Sequence, residues 1–426
     1  MNSFSAQHLR HCQTHLRGPL DGLIMVTSLR YMAIAQKGSM NIPDPIKLTQ
    51  DLIRFNTINP PGNEDELCNY LTELLESADF ECMNVDFAPR RRSIVARIPG
   101  AVNKSNICFT GHVDVVPLGD RPWDHEPFSG EIQDGKLFGR GSSDMKSGIA
   151  AFVVAAMKTA HIAKNQGGIS LIITAGEETG CEGAFYIAAQ KKVIDFIGNV
   201  GCFVVAEPTA NEPIIGHKGA YWLRAKAQGI TAHGSMPERG DNAFYKIAKG
   251  ALLLEQFQFD TPPHSLMGQG TLNVGTAKAG LNINSVPDAA EMTLDIRSVP
   301  GQSHSHIYGC LCKTLGPNIK LETIMDVEGI YTPPENPWIQ TVYAHCQEIN
   351  GVKTAPKSIS YFTDASALKG QIGDPPTVVL GPGQPEMAHQ TNEFCYTEKI
   401  TQATTLFERL IIDWQNNGSH KEVHAR

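Results

Sequence analysis

The chain is predicted to be an α/β protein in which an open sheet is interrupted by a smaller inserted unit. Four short apolar runs, residues 106–110 (NICFT), 169–175 (ISLIITA), 202–206 (CFVVA) and 377–380 (TVVL), are β-branched or aromatic and lack polar alternation, as strands buried on both faces do. Each leads into a loop carrying an acid or a histidine. Between the third and fourth runs, residues 217–326 read as strand, helix, strand, strand, helix, strand. That βαββαβ order builds one antiparallel sheet covered by two helices.

Taken in order, residues 44–55 place Ile46, Leu48, Leu52 and Ile53 at helical spacing and stop before the breaker Asn59-Pro60-Pro61-Gly62. Asn63, with Glu66 three residues on, has the form of a capping box and starts a helix reaching about Ser77. Strands follow at 81–87 and 94–98, with Arg90, Arg91 and Arg92 between them as a solvated basic turn. Residues 117–139 are rich in Pro, Gly and Asp and read as an ordered loop with a hairpin. The next glycines lack the Gly-Lys-Ser/Thr ending of a phosphate-binding loop. Residues 147–163 form an Ala-rich amphipathic helix with Asp144 at its positive end, where a carboxylate is favoured. In the inserted unit, strands at 220–228, 270–276, 291–299 and 319–325 accompany helices at 241–257 and 303–315.

The expected division is a main domain in two parts, 40–216 and 327–426, an inserted domain at 217–326, and an extension at 1–39. Residues 23–35 superficially resemble a signal peptide, but Arg30 interrupts them and the basic lead is too long, so Met40 is the working start.

With 426 residues, 41% of them hydrophobic, the chain can bury a large core. Its formal net charge of −8 argues against nucleic acid or an anionic membrane as a partner. The ten cysteines include no C-x-x-C pair, which suits packing thiols in a reducing, cytoplasmic compartment.

The chemistry gathers in the loops. His112 and Asp114 stand in TGHVDVVP, Asp144 in GRGSSDMKSG, Glu177 and Glu178 in TAGEETG, Glu207 in VVAEPT and His389 in EMAHQTNEF. Taken singly each is weak: an H-x-D is common by chance, and an Asp before a helix is usually an N-cap. Taken jointly they are not, because ligands in an open α/β sheet bind beyond the carboxyl ends of the strands. Imidazoles and carboxylates without thiolate suit hard-to-borderline divalent cations.

These motifs, with GITAHGSMPERGDNA, NINSVPDAAEMTLDIR and GPGQPEMAHQTNEF, resemble the dinuclear zinc amidohydrolases and peptidases that include acetylornithine deacetylase, succinyl-diaminopimelate desuccinylase, aminoacylase and glutamate carboxypeptidase. The resemblance runs from about Met40 to the C-terminus. It implies a zinc-exopeptidase-like catalytic domain with a central mixed, mainly parallel sheet, and an inserted ferredoxin-like domain that serves as lid and dimerisation surface.

By the same resemblance, His112, Asp144 and Glu207 would hold one metal and Asp144, Glu178 and His389 the other, most naturally zinc, with cobalt or manganese able to substitute. Glu177 would be the general base acting on a metal-bound water, and Asp114 would orient His112 through its second ring nitrogen. His233 would stabilise the oxyanion, reaching a partner subunit's site in a homodimer, while Asn284 and Arg297 would contact substrate. On the residues alone, Arg297 could equally be a strand salt bridge. The implied reaction is hydrolysis of an N-acyl amino acid, with an exopeptidase or a non-catalytic metal-binding protein as alternatives. Residues 361–365 (YFTDA) depart from the Gly-Thr-Ser-Asp-Gly loop that succinyl-diaminopimelate desuccinylases usually show, which weakens the case for that substrate.

Overall fold

The structure, a computed structural model, describes residues 42–418 apart from 102, 165, 352 and 354; the expectations for residues 1–39 lie outside the described residues. Helix α1 (Pro45–Ile53) begins where the Asp44 carboxylate accepts hydrogen bonds from the Ile46 and Lys47 amides. Helix α2 (Asp65–Ser77) does not use the capping box read at Asn63. Its cap is Glu64, which makes no side-chain cap bond because its carboxylate is buried and accepts instead from Arg91 Nε at 2.9 Å.

The antiparallel pair β1 (Glu81–Ala88) and β2 (Arg91–Ile98) follows. Arg91 and Arg92 thus belong to β2, and Arg90, with φ 64°, sits in the turn. The arginines are not one solvated cluster, since Arg91 is spoken for by Glu64 and lies 3.5 Å from Glu182.

The first half continues through β3 (Asn106–His112), the hairpin β4 (Ile132–Gln133) and β5 (Lys136–Phe138), helix α3 (Ser147–Ala163), β6 (Ile169–Thr174), helices α4 (Glu182–Ala188) and α5 (Lys191–Ile197), and β7 (Val200–Val205). After β8 (Gly216–His217) come β9 (Ala220–Gln228), α6 (Ala243–Glu255), β10 (Thr271–Ala279), β11 (Ala289–Arg297), α7 (His304–Leu315) and β12 (Ile319–Val327). The chain then returns through β13 (Ile330–Tyr331), α8 (Pro337–Asn350), α9 (Ala365–Leu368), β14 (Thr377–Val379), β15 (Phe394–Tyr396) and α10 (Thr397–Asp413).

The main sheet has the order β1-β2-β6-β3-β7-β14. Strands β6, β3, β7 and β14 pair in parallel and β2 alone runs against its neighbours, so the sheet is mixed and mainly parallel. Every position of β3, β6 and β7 is buried, which accounts for their unbroken apolar sequence. The second sheet, β10-β11-β9-β12, is antiparallel throughout, with α6 and α7 sharing its apolar core around Leu223, Ile247, Leu294 and Leu311. Entry to and exit from this unit are hydrogen-bonded to each other, because β8 pairs with β13 at His217 and Ile330.

Helix α3 is buried along nearly its whole circumference and is not amphipathic. Its Phe152 stacks on Phe109 of β3 at 5.9 Å, and Phe407 of α10 meets the same Phe109 edge-on at 5.3 Å. At its first turn, a Cβ on Gly148 would lie 2.1 Å from the Ala206 carbonyl oxygen, so only glycine lets the helix approach the end of β7. Gly148→Ala should therefore destabilise the protein by about 1–3 kcal/mol, as overpacking does. Urea unfolding monitored by circular dichroism checks this, with the midpoint falling at unchanged slope.

Candidate metal centre

Strand β3 lies between β6 and β7, so three adjacent parallel strands deliver their C-terminal loops to one place. His112 is the last residue of β3, Glu177 and Glu178 follow β6, and Glu207 follows β7. His389 arrives on the loop after β14, in the left-handed region at φ 63°.

His112 Nδ1 is 2.9 Å from the Asp114 main-chain oxygen. A carbonyl can only accept, so this nitrogen donates, and Nε2 is the ring atom that faces the cluster. Nε2 lies 3.2 Å from Asp144 Oδ1, 3.8 Å from Glu207 Oε1 and 3.9 Å from Glu177 Oε2. On the other side, His389 Nε2 is 3.1 Å from Glu178 Oε2 and 3.4 Å from Asp144 Oδ2. Asp144 thereby stands between two groups whose ligand atoms converge: His112, Asp144 and Glu207 in one, and Asp144, Glu178 and His389 in the other.

Two further carboxylates set this geometry. Asp114 orients His112 through its main chain; its side-chain oxygen is 3.6 Å from Nδ1 and is occupied elsewhere. That carboxylate accepts from the amides of Gly176 at 2.8 Å, Glu177 at 3.1 Å and Glu178 at 3.2 Å, and from Asn59 Nδ2 at 2.9 Å. Asp114 therefore holds the turn that presents both glutamates. Glu393, fully buried, does the same for Asp144: it accepts from the amides of Gly141, Ser143 and Asp144 at 3.0, 2.8 and 3.0 Å, and from Arg140 Nη1 at 2.7 Å.

Asp144 itself is not at the positive end of a helix. Helix α3 starts at Ser147, and Asp144 lies in the preceding bend with φ −119° and ψ 92°, both outside the helical region. Its amide is satisfied by Glu393, which leaves its own carboxylate directed at both histidines.

The loops beyond Glu207 brace it from behind. Tyr361 donates to the Pro208 oxygen at 3.0 Å, and a Cβ on Gly381 would lie 2.5 Å from the Glu207 oxygen. Asp364, of the same YFTDA stretch, is buried and accepts from Thr174 Oγ1 at the end of β6. Burial pushes its carboxyl up to about 6.

The electrostatics show what the cluster requires. Among the described residues no lysine or arginine is ion-paired with Asp144, Glu177, Glu178 or Glu207. Burial pushes the Glu207 carboxyl up to about 7 and raises those of Glu178 and Glu177. Hydrogen bonds to Asp144 and Glu178 push His389 up to about 10. Burial opposes protonation of His112, yet Glu207 and Asp144 hold it well above its usual range. Glu178 Oε1 is buried without a hydrogen-bond partner. Lone pairs face lone pairs unless positive charge lies between them, and the all-N/O donor set fits two divalent cations.

Among the described residues, no hydrogen bond or ion pair joins His233, Asn284 or Arg297 to this cluster. His233 is exposed with Nδ1 2.7 Å from Ser235 Oγ, and it neighbours Asn284, whose main-chain oxygen accepts from Gly234 at 2.7 Å. Arg297, at the end of β11, pairs with Asp295 at 2.9 Å, and no hydrogen bond or ion pair among the described residues joins it to the cluster.

The profile of peptidase family M20/M25/M40 matches residues 108–413 of this sequence. The chain belongs to that family. It is accordingly a metal-dependent hydrolase. Among curated relatives, the succinyl-diaminopimelate desuccinylase of Wolbachia pipientis is 28% identical over 384 residues, covering 86% of this chain and 92% of its own. A probable succinyl-diaminopimelate desuccinylase of Staphylococcus epidermidis is 29% identical over 383 residues, covering 82% and 93%. Of solved structures, the M20 metallo-carboxypeptidase Sso-CP2 from Sulfolobus solfataricus aligns with a TM-score of 0.70 at 18% identity, over 87% of this chain and 98% of that one. Aminopeptidase PepT from Bacillus cereus aligns at 0.67 and 21%, over 88% and 98%. These two likenesses concern the M20 fold.

Glu393→Gln replaces one acceptor oxygen with an amide that can only donate toward the Gly141–Asp144 amides. Metal affinity should fall about 10- to 100-fold, as it does when residues that orient metal ligands are altered, while far-ultraviolet circular dichroism stays unchanged. Competition against a chromophoric chelator measures it.

Proposed function

We propose that the chain hydrolyses the amide bond of an N-acyl amino acid, with Glu177 as general acid–base. The observation that carries this is the position of Glu177. It is buried, its Oε2 lies 3.9 Å from His112 Nε2, and it belongs to neither three-residue ligand group. A carboxylate beside the ligands but not among them is free to move protons.

Two bound divalent ions, zinc in our reading, would supply polarisation of the amide carbonyl and acidification of water at neutral pH. Glu177 takes a proton from the attacking water and delivers it to the leaving nitrogen as the C–N bond breaks and the water oxygen bonds to the acyl carbon. Burial, reinforced by the charges of Glu207 and Glu178, raises the Glu177 carboxyl, which favours holding that proton between the two transfers. Asp114 keeps the base in place through the Glu177 amide.

His233 is assigned the oxyanion, Asn284 and Arg297 the substrate, and the βαββαβ unit the role of lid. In this reading His233 serves the site of a second copy in a homodimer. The fully exposed Leu281 and Ile283, two apolar side chains beside Asn284, support an interface at this patch. Buried free thiols at Cys68, Cys108, Cys181, Cys346 and Cys395 support a cytoplasmic setting. No helix among the described residues is long and apolar enough to cross a membrane.

The curated relatives are named for desuccinylation, which supports trying N-succinyl amino acids first, although the YFTDA stretch departs from the loop usual in those enzymes. The solved carboxypeptidase and aminopeptidase share the fold, so exopeptidase action is the second reading. A panel of N-succinyl, N-acetyl and N-formyl amino acids with dipeptides, offered to the zinc- or cobalt-loaded protein, separates the two. Glu177→Gln should lower kcat about 10²- to 10⁴-fold with metal content retained. His233→Ala should lower kcat about 10²- to 10³-fold, the loss typical of one oxyanion donor. Full loading with two metals and no cleavage anywhere in the panel would leave only a binding protein.

A further inference from the structure

A second constellation of metal-binding side chains lies in the βαββαβ unit, far along the chain from the ligands described above. His306 and Cys310 are one turn apart on α7 and so share a face of that helix. His306 Nε2 is 3.6 Å from Cys310 Sγ and 2.7 Å from Asp260 Oδ2. Their three ligand atoms all lie within 4.8 Å of one another.

We propose that Asp260, His306 and Cys310 bind a zinc-like divalent cation independent of the catalytic pair. The chemistry differs from the catalytic centre in one respect that matters: a sulfur ligand is present, which selects borderline and soft ions such as zinc and cobalt over magnesium or calcium. Bond lengths of about 2.0 Å to nitrogen and about 2.3 Å to sulfur around a tetrahedron place those atoms roughly 3.5 Å apart. The His306–Cys310 separation already matches that spacing. Asp260 needs to retreat by about 0.6 Å from its 2.7 Å hydrogen bond to the ring to reach the matching nitrogen–oxygen spacing.

The backbone on either side of Asp260 is tethered by contacts that do not involve the helix histidine. Its neighbour Thr261 accepts from Gln302 Nε2 at 2.7 Å through its hydroxyl and from Gln269 Nε2 at 3.0 Å through its carbonyl. On the other side, Phe259 meets Phe257 edge-on at 5.3 Å. Two of the ligands therefore come from a helix and the third from a tethered connection, which limits the ordering entropy that binding must overcome. On binding, the Cys310 thiol loses its proton to solvent and the imidazole carries its proton on Nδ1. Thiolate and carboxylate then neutralise the dication, and water completes the fourth position.

Cobalt titration of the full chain tests this, because sulfur-to-cobalt charge transfer absorbs in the near ultraviolet and the catalytic ligands include no sulfur. The band should grow with added cobalt, vanish in Cys310→Ser and vanish in His306→Ala, with Cys310→Ser retaining full hydrolytic activity. Zinc should in parallel protect Cys310 from alkylation, read by mass spectrometry, while the exposed Cys312 on the same helix stays reactive as an internal control. No band at saturating cobalt, a band that survives Cys310→Ser, or equal alkylation of Cys310 with and without zinc overturns the proposal.

Discussion

Crowding of negative charge at the end of a parallel sheet is the constraint on which the rest of the centre depends. Asp144, Glu177, Glu178 and Glu207 converge, and among the described residues two imidazoles, His112 and His389, answer them. Such a pocket resists assembly, since each buried carboxylate raises the cost of ionising the next. Backbone amides fix its geometry all the same. Asp114 collects three from the Gly176–Glu178 turn and Glu393 collects three from the Gly141–Asp144 bend. The candidate ligands are positioned by acids that belong to neither three-residue group.

This division of labour explains why similar residues have different duties. Asp114 and Asp144 both lie near His112, Asp114 fully buried and Asp144 partly exposed, but Asp114 has its oxygens filled by N–H donors while Asp144 keeps its own directed at the two histidines. Glu177 and Glu178 are neighbours in one turn. Glu178 reaches His389 at 3.1 Å, whereas Glu177 lies 3.9 Å from His112. In the proposed reading one is a ligand and the other is left available for protons.

Much of this was legible from the chain itself, and the reasons are physical. Strands β3, β6 and β7 are buried at every position, so their sequences carry no polar interruption, and the residues just beyond them are the ones that line the crevice. The parts that were not legible depend on contacts distant in sequence. Glu393 meets its partners some 250 positions away, and nothing local separates it from an ordinary loop acid. Spacing alone cannot show that the backbone bends at Asp144 before α3 begins, nor that Ala-rich α3 is enclosed on nearly all sides. Arg91 looked solvated until α2 placed the buried Glu64 beside it.

The pairing of β8 with β13 carries a consequence for how such a molecule can be rebuilt. Where the chain leaves the main body and where it comes back are cross-strand neighbours, His217 opposite Ile330 and Gly216 opposite Tyr331. The roughly hundred residues between them close a loop whose ends are already pinned, so lengthening or shortening that loop changes its closure entropy only logarithmically. The βαββαβ unit is therefore a cassette: a short turn joining Gly216 to Tyr331 would bridge the gap, and modules of other sizes could be spliced at the same point without re-registering a strand of the main sheet.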